Sequence, residues 1–337
     1  MSRILITGAN GFVGTNLAQK FVAGGHSVRC LIHKNLSEIK NIPVEIRYGN
    51  IADPASLTKA VKDIDFVFHC AGALRAKNIK TLYDINQTGT KNLIEAVHKY
   101  NPSIKRFVYV SSQAAMGPCI NLEDPKDPNG LCGPVSDYGR SKMMGEREVL
   151  KFKDKIPVTI LRPAAIYGPY DKDIFTFFQM ASKGFFPILT GRKNCYVQLL
   201  FISDLIEICN LILTKNEFKS NIYFLAQKQH YSWHEIGKII GEAIGKKVLI
   251  FTLPAWFIKF AAITSETAMR LIRNEASPFN RDKIKEFCQQ YWLGDSSKTE
   301  QDFNFTFTSL ANGAKITYNW YIQNKWLSRT KYQNQYL

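Results

Sequence analysis

The first apolar residues, Ile4, Leu5 and Ile6, are consecutive, with no polar residue between them, a pattern that predicts a strand buried on both faces. Past them Val13, Leu17 and Phe21 recur at the spacing of one helix face. The succession then repeats. Residues 27–32, 44–48, 66–72 and 106–112 read as further strands, with helical patterns opening at Pro54 and covering 86–96. Strands alternating with helices over about 170 residues predict right-handed βαβ units, hence the doubly wound parallel sheet of the α/β class. From about Phe175 the alternation gives way to helical, aromatic-rich segments, and 221–226 reads as one more strand returning to the sheet.

Between the first strand and its helix stand Gly8, Gly11 and Gly14, at intervals of three. The first permits a sharp exit from the strand, the second lets backbone approach a pyrophosphate, and the third allows close helix packing. Phosphate there would meet free N–H groups and the positive end of the helix dipole. In this strand-to-helix context the loop predicts a Rossmann-type dinucleotide site built by Gly8, Asn10, Gly11, Phe12, Val13 and Gly14. The fourth apolar run ends in Cys70, Ala71 and Gly72, small residues that suit a strand end approached closely by another group. His33 and Lys34 follow the second strand, with no acidic residue before Glu38. A carboxylate at that place binds the ribose hydroxyls of NAD, whereas a basic residue accommodates the added phosphate of NADP. NAD or NADP is therefore expected, the basic pair tilting the choice to NADP. The chain divides into a dinucleotide-binding domain, 1–174 with 196–226 returning to it, and a smaller, mostly helical substrate domain, 175–195 and 227–327. Residues 328–337 read as a polar, disordered tail.

Catalytic chemistry is concentrated in Ser136-Asp-Tyr-Gly-Arg-Ser-Lys142. Tyr138 and Lys142 are four apart, so on a helix they share one face. A phenol is a poor base at neutral pH, and a neighbouring ammonium lowers its pKa. Tyr138 would then exchange a proton with a secondary alcohol or ketone while hydride passes between substrate carbon and nicotinamide. Ser112, at the end of the 106–112 strand, is placed to hydrogen-bond the same oxygen. An isolated Tyr-x-x-x-Lys is usually an ordinary helix pair. Its conjunction with the glycine loop points to catalysis.

Composition changes this picture little. The 337 residues carry a net charge of +16, yet the lysines are scattered and no zinc-finger or RNP-type motif accompanies them, so no nucleic-acid partner is expected. Seven cysteines form no CxxC pair, and the odd count argues against a complete disulfide framework. The chain enters its first strand at once, with no signal peptide, which predicts a cytoplasmic protein. Residues 248–263 are apolar but short and interrupted by Pro254 and Lys259, so a packed helix is expected in preference to a membrane-surface element, and no transmembrane segment. His230 and His234 lack companion ligands, and no metal site is expected.

Thr7-Gly-Ala-Asn-Gly-Phe-Val-Gly14, His69-Cys-Ala-Gly72, Asn86, Ser111-Ser112, Tyr138-x-x-x-Lys142 and Leu161-Arg-Pro-Ala-Ala-Ile-Tyr-Gly-Pro169 resemble, in order and spacing, the extended short-chain dehydrogenase/reductases. That superfamily includes the NAD-dependent epimerase/dehydratases. The resemblance implies a Ser112, Tyr138 and Lys142 triad, Lys142 also gripping the nicotinamide ribose. It further implies Asn86 supporting the active-site helix, Asn50 and Ile51 beside the adenine, and Pro163, Ala165 and Ile166 near the nicotinamide, in a homodimer formed through the helices flanking Tyr138. Dehydratases similar to this scaffold carry an Asp-Glu pair after the triad hydroxyl, where this chain has Gln113 and Ala114. Many nucleotide-sugar epimerases have Asn in place of Ala165. The pattern looks more like the 3β-hydroxysteroid dehydrogenase-like and dihydroflavonol reductase-like branch, and an oxidoreductase acting on a bulky, largely apolar small molecule is the leading expectation. A nucleotide-sugar 4-epimerase with tightly bound NAD is the alternative, and a dinucleotide-sensing scaffold the non-enzymatic one.

Overall fold

Seven parallel strands centre the computed structural model, which describes residues 1–76, 78–188, 194–215, 217–268 and 280–328. The predicted tail from 329 onward lies outside the described residues. The first six strands are β1 (Arg3–Thr7), β2 (Ser27–Ile32), β3 (Glu45–Tyr48), β4 (Phe66–His69), β5 (Arg106–Val110) and β6 (Val158–Pro163). With Ile222–Leu225 as the seventh, they lie in the order Ile222–Leu225, β6, β5, β4, β1, β2, β3, every neighbouring pair parallel. This is the doubly wound sheet of Rossmann type. Strand order reverses beside β1, and the crevice beyond the carboxyl ends there is where such sheets bind ligands.

Alternate side chains of each strand go to opposite faces, and because both faces are covered both sets are apolar. Ile4 and Ile6 join Phe68, Val108, Leu17 and Phe21 on one face, while Leu5, Val67, Phe107 and Tyr109 meet Leu93, Val97 and Val149 on the other. The helices that matter to the site are α1 (Phe12–Ala23), α2 (Pro54–Leu57), α3 (Ile79–Tyr83), α4 (Thr90–Tyr100), α5 (Gln113–Met116) and α6 (Asp137–Leu150). The helix expected over 86–96 is longer and interrupted: α3 and α4 are joined by a π-turn, Asp84–Gly89. Such wide turns show no distinct hydrophobic period, and they occur often at functional sites.

In the C-terminal region the helix Trp233–Ile244 starts at a capping box in which Ser232 N–H donates to Glu235 Oε2 at 2.7 Å. It packs against Phe186, whose strand Phe185–Ile188 pairs in parallel with Leu249–Thr252. The expectation of a packed helix at 248–263 requires correction. In the helix Ala255–Ala268, Ile258 is buried against Ile284, but Trp256, Phe257, Phe260 and Ile263 are exposed. Apolar composition predicted burial without specifying which face had a partner. No helix among the described residues is long and apolar enough to cross a membrane, and Cys30, Cys70, Cys119, Cys132, Cys209 and Cys288 are free thiols.

Candidate active site

The glycine loop leaves β1 with Gly8 at φ +67°, where a Cβ would stand 2.6 Å from Ala71 N in the segment after β4. Gly14 packs so closely on Gly8 and Ala9 that no side chain fits there. Gly11 differs: a Cβ on it would meet Gly8 O at 3.2 Å and otherwise open space. Gly11 is also the N-cap of α1, with no side-chain cap, so first-turn N–H groups beside Phe12 and Val13 face outward without an internal acceptor. These features fit a pyrophosphate on the helix N-terminus. Asn10 Nδ2 donates to Asn35 O at 2.8 Å and ties the loop to the turn after β2. In that turn His33 and Lys34 are exposed, and His33 Nε2 lies 3.4 Å from Asn50 Nδ2. Ile51, next to Asn50, is buried against Gly89 at the end of the π-turn.

After β4 the chain runs through Cys70, Ala71 and Gly72 directly beneath the catalytic helix. A side chain at Gly72 would stand 3.1 Å from Asn86 Oδ1 and 3.7 Å from Lys142 Nζ. Asn86, in the π-turn, is fully buried; its Oδ1 accepts from Ala73 N at 2.8 Å and its Nδ2 donates to Ala73 O and Ser141 Oγ, both at 2.9 Å. One side chain thus joins the loop after β4 to α6. His69, whose importance is not evident from the sequence, bridges Thr7 Oγ1 and Thr90 Oγ1 at 2.7 and 2.9 Å. Burial, assisted by the Lys142 charge, pushes its pKa down to about 3, so it serves as a neutral strut.

Tyr138 and Lys142 both lie on α6, and Ser112 caps α5 at the end of β5. Ser112 lies beside the Tyr138 phenol, and its Oγ accepts from Ala114 N at 3.1 Å. Lys142 is almost fully buried; Nζ donates to Val110 O at 2.7 Å and sits 4.2 Å from the Tyr109 ring centroid. Burial brings its pKa down to about 8, opposed by the charge of Glu146. The expected lowering of the Tyr138 pKa is corrected by the structure. Burial dominates and raises it, Glu286 acts in the same direction, and the neighbouring Ser112 hydroxyl only partly opposes them. Tyr138 is therefore a protonated phenol at neutral pH. Pro163 ends β6, and Ala165 and Ile166 follow it, Ala165 exposed at the carboxyl edge of the sheet.

Two groups near the triad belong to no motif in the sequence. Glu146, one turn beyond Lys142, forms a bidentate pair with Arg162: Nε to Oε1 at 2.9 Å and Nη2 to Oε2 at 2.6 Å, both side chains only 3% exposed. Glu146 also accepts from Ser111 Oγ, and Arg162 Nη1 donates to Pro128 O at 2.6 Å. The second group arrives from the C-terminal helix Arg281–Phe287. Asp282 accepts from Asp137 N at 2.9 Å and Tyr138 N at 3.1 Å, and Glu286 accepts from Ser136 Oγ at 2.6 Å. The N-terminus of the catalytic helix is thus capped by residues about 145 positions away, as the helix dipole favours. The position of Glu146 four residues after Lys142 was the one local signal. Asp282 and Glu286 left none.

The model of the NAD dependent epimerase/dehydratase family matches residues 4–226. The chain belongs to that family. It is an enzyme of the extended short-chain dehydrogenase/reductase type, with the 3β-hydroxysteroid dehydrogenases among its homologues. Over 333 residues it is 26% identical to a ceramide reductase of Caulobacter vibrioides, covering 97% of this chain and 96% of that protein. A 3β-hydroxysteroid dehydrogenase/Δ5→4-isomerase of Mycobacterium tuberculosis is 27% identical over 264 residues, 73% of this chain and 70% of that one. Among solved structures, a UDP-glucose 4-epimerase of Thermus thermophilus in complex with NAD has the same fold. Its TM-score is 0.75 at 18% identity, over 95% of this chain and 98% of that one.

Proposed function

We propose that this enzyme is an NAD(P)-dependent oxidoreductase that interconverts a secondary alcohol and a ketone on a bulky, largely apolar small molecule. The observation that carries the reading is the grouping of Ser112, a half-buried Tyr138 and a buried Lys142, with Lys142 Nζ beside Gly72 and the adjoining Ala71 against Gly8 of the glycine loop. Gly8, Gly11 and Gly14 with the first turn of α1 would hold the pyrophosphate, Asn50 and Ile51 would flank the adenine, and Lys142 would hold the nicotinamide ribose. When bound, the nicotinamide supplies or accepts the hydride. Ser112 orients the substrate oxygen, and Tyr138 gives it a proton in reduction or takes one in oxidation. Protonated Tyr138 is already in the form that ketone reduction requires. Gln113 and Ala114 provide neither the acid nor the base for removing water, and Ala165 offers a substrate sugar no amide. The names of two relatives, a ceramide reductase and a hydroxysteroid dehydrogenase, agree with an apolar substrate. His33 and Lys34, exposed after β2 beside Asn50, favour NADP.

Mass spectrometry of nucleotide released from the desalted protein tests the reading. An empty site, or one holding NADPH, agrees with a cofactor exchanged at each turnover. Retained stoichiometric NAD would instead support the epimerase reading, in which the cofactor is recycled in place.

A further inference from the structure

The described residues include fourteen exposed large hydrophobic side chains, and six of them lie between Leu249 and Ile263. Leu249 and Phe251 alternate outward on the strand Leu249–Thr252, and Trp256, Phe260 and Ile263 follow at i, i+4 and i+7 on the helix Ala255–Ala268, with Phe257 alongside. Trp256 is 70% exposed and Phe260 61%. Isolated apolar residues at a surface are ordinary, but a run of this kind on one small strand and the next helix is not.

Lysines border the strand end of this face, while Glu266 and, on the packed helix, Asp282 and Glu286 lie toward its other end. Residues 243–265 contain no aspartate or glutamate and include Lys246, Lys247 and Lys259, and Lys183 precedes the paired strand Phe185–Ile188. The parallel pairing of Leu249 with Phe185 places Lys183 and Lys247, both exposed, at the same end of the two-stranded sheet. Lys246 Nζ fastens that end by donating to Ser182 O at 2.9 Å. Aromatic residues flanked by lysines, on a helix of about 21 Å, match a segment that lies in a membrane interface without spanning it.

We propose that the Leu249–Ile263 face docks the enzyme on an anionic phospholipid bilayer, with Trp256, Phe257, Phe260 and Ile263 entering the headgroup region and Lys183 and Lys247 meeting lipid phosphates. The docking helix packs through Ile258 onto Ile284, in the helix whose Asp282 and Glu286 cap the catalytic helix. Docking would therefore hold the Tyr138 end of α6 one helix away from the lipid. An apolar substrate could then be drawn from the bilayer; this last step rests on the proposed function, whereas the docking itself does not.

The test is co-sedimentation of the full chain with sucrose-loaded vesicles, of phosphatidylcholine alone or of phosphatidylcholine with phosphatidylglycerol, without nucleotide or substrate. The expected result is binding to the anionic vesicles that weakens with added salt. Affinity should fall by about tenfold or more both in the triple variant Trp256→Ser/Phe260→Ser/Ile263→Ser and in Lys183→Glu/Lys247→Glu, with melting temperatures unchanged. Should the triple variant melt early, the lysine variant decides. Absence of binding to anionic vesicles overturns the proposal, as does undiminished binding by the stable variants. A wild-type dimer that the triple variant makes monomeric, with vesicle binding intact, would assign the face to a second copy instead. An enzyme without oxidoreductase activity leaves this test intact, and failed docking leaves the proposed reaction standing.

Discussion

Replacing Glu146 with Gln should destabilise the enzyme sharply, because the buried Arg162 guanidinium would lose its counter-charge. In the native protein the Glu146 carboxylate takes two bonds from Arg162 and one from Ser111. Burial works against the Arg162 charge, yet the hydrogen bonds and charge of Glu146 outweigh it and hold the guanidinium pKa above its ordinary value. Removing one partner of such a pair costs about 3–5 kcal/mol, a substantial part of a total stability of about 5–15 kcal/mol. With an unfolding entropy of about 2.1 cal/mol/K per residue, that loss lowers the melting temperature by about 4–7 °C. Arg162→Met should cost a similar amount. The double variant Glu146→Gln/Arg162→Met should be less destabilised than the sum of the singles by about 2 kcal/mol or more, since no unpaired charge remains. Denaturant unfolding of all four proteins supplies the cycle. Single losses below about 1 kcal/mol, or additive ones, would refute the argument.

Three further perturbations follow from the same geometry. Gly145→Ala should improve helix propensity by about 1 kcal/mol, yet lower stability by about 1–3 kcal/mol net, because its Cβ meets Asn86 O and the Tyr109 hydroxyl; an unchanged or raised melting temperature would contradict this. Burial lowers the Lys142 pKa to about 8 from 10.5, so this lysine opposes folding in full below pH 8, and the penalty is relieved as pH rises from 8 to 10.5. Dinucleotide affinity, if it relies on the ammonium, should decline above pH about 8, and Lys142→Arg should move that decline upward; a titration by nucleotide fluorescence that stays flat to pH 10 would count against the assignment. Asp282→Ala should cost about 1 kcal/mol as a lost helix cap and lower kcat more than it raises KM, while Asp282→Asn, which keeps an acceptor, should recover most of both; equal behaviour of the two variants would deny a capping role.

What was legible in the sequence was local. The β1-to-α1 turn is written in three glycines spaced by three, and the face shared by Tyr138 and Lys142 follows from their separation along α6. Parallel strands could be read from apolar runs because burial on both faces removes polar residues from them. Interactions set by tertiary approach were not legible. Glu146 meets Arg162 only because α6 lies across β6, and Asp282 reaches the Tyr138 N–H from another region of the chain. The π-turn at Asn86 adds a residue to a helical turn without altering the apolar pattern around it. The exposed face of Trp256 and Phe260 escaped for the opposite reason: composition indicates apolar character, whereas orientation depends on what packs behind the helix.

The most direct test of the central claim is the stoichiometry of reduced nicotinamide against product in a screen of bulky apolar ketones, with wild type and Tyr138→Phe measured side by side. One reduced cofactor should be consumed for each alcohol formed, and turnover should be abolished in Tyr138→Phe while dinucleotide binding is retained. Product formed without net consumption of cofactor, or turnover that survives the loss of the phenol, would contradict it.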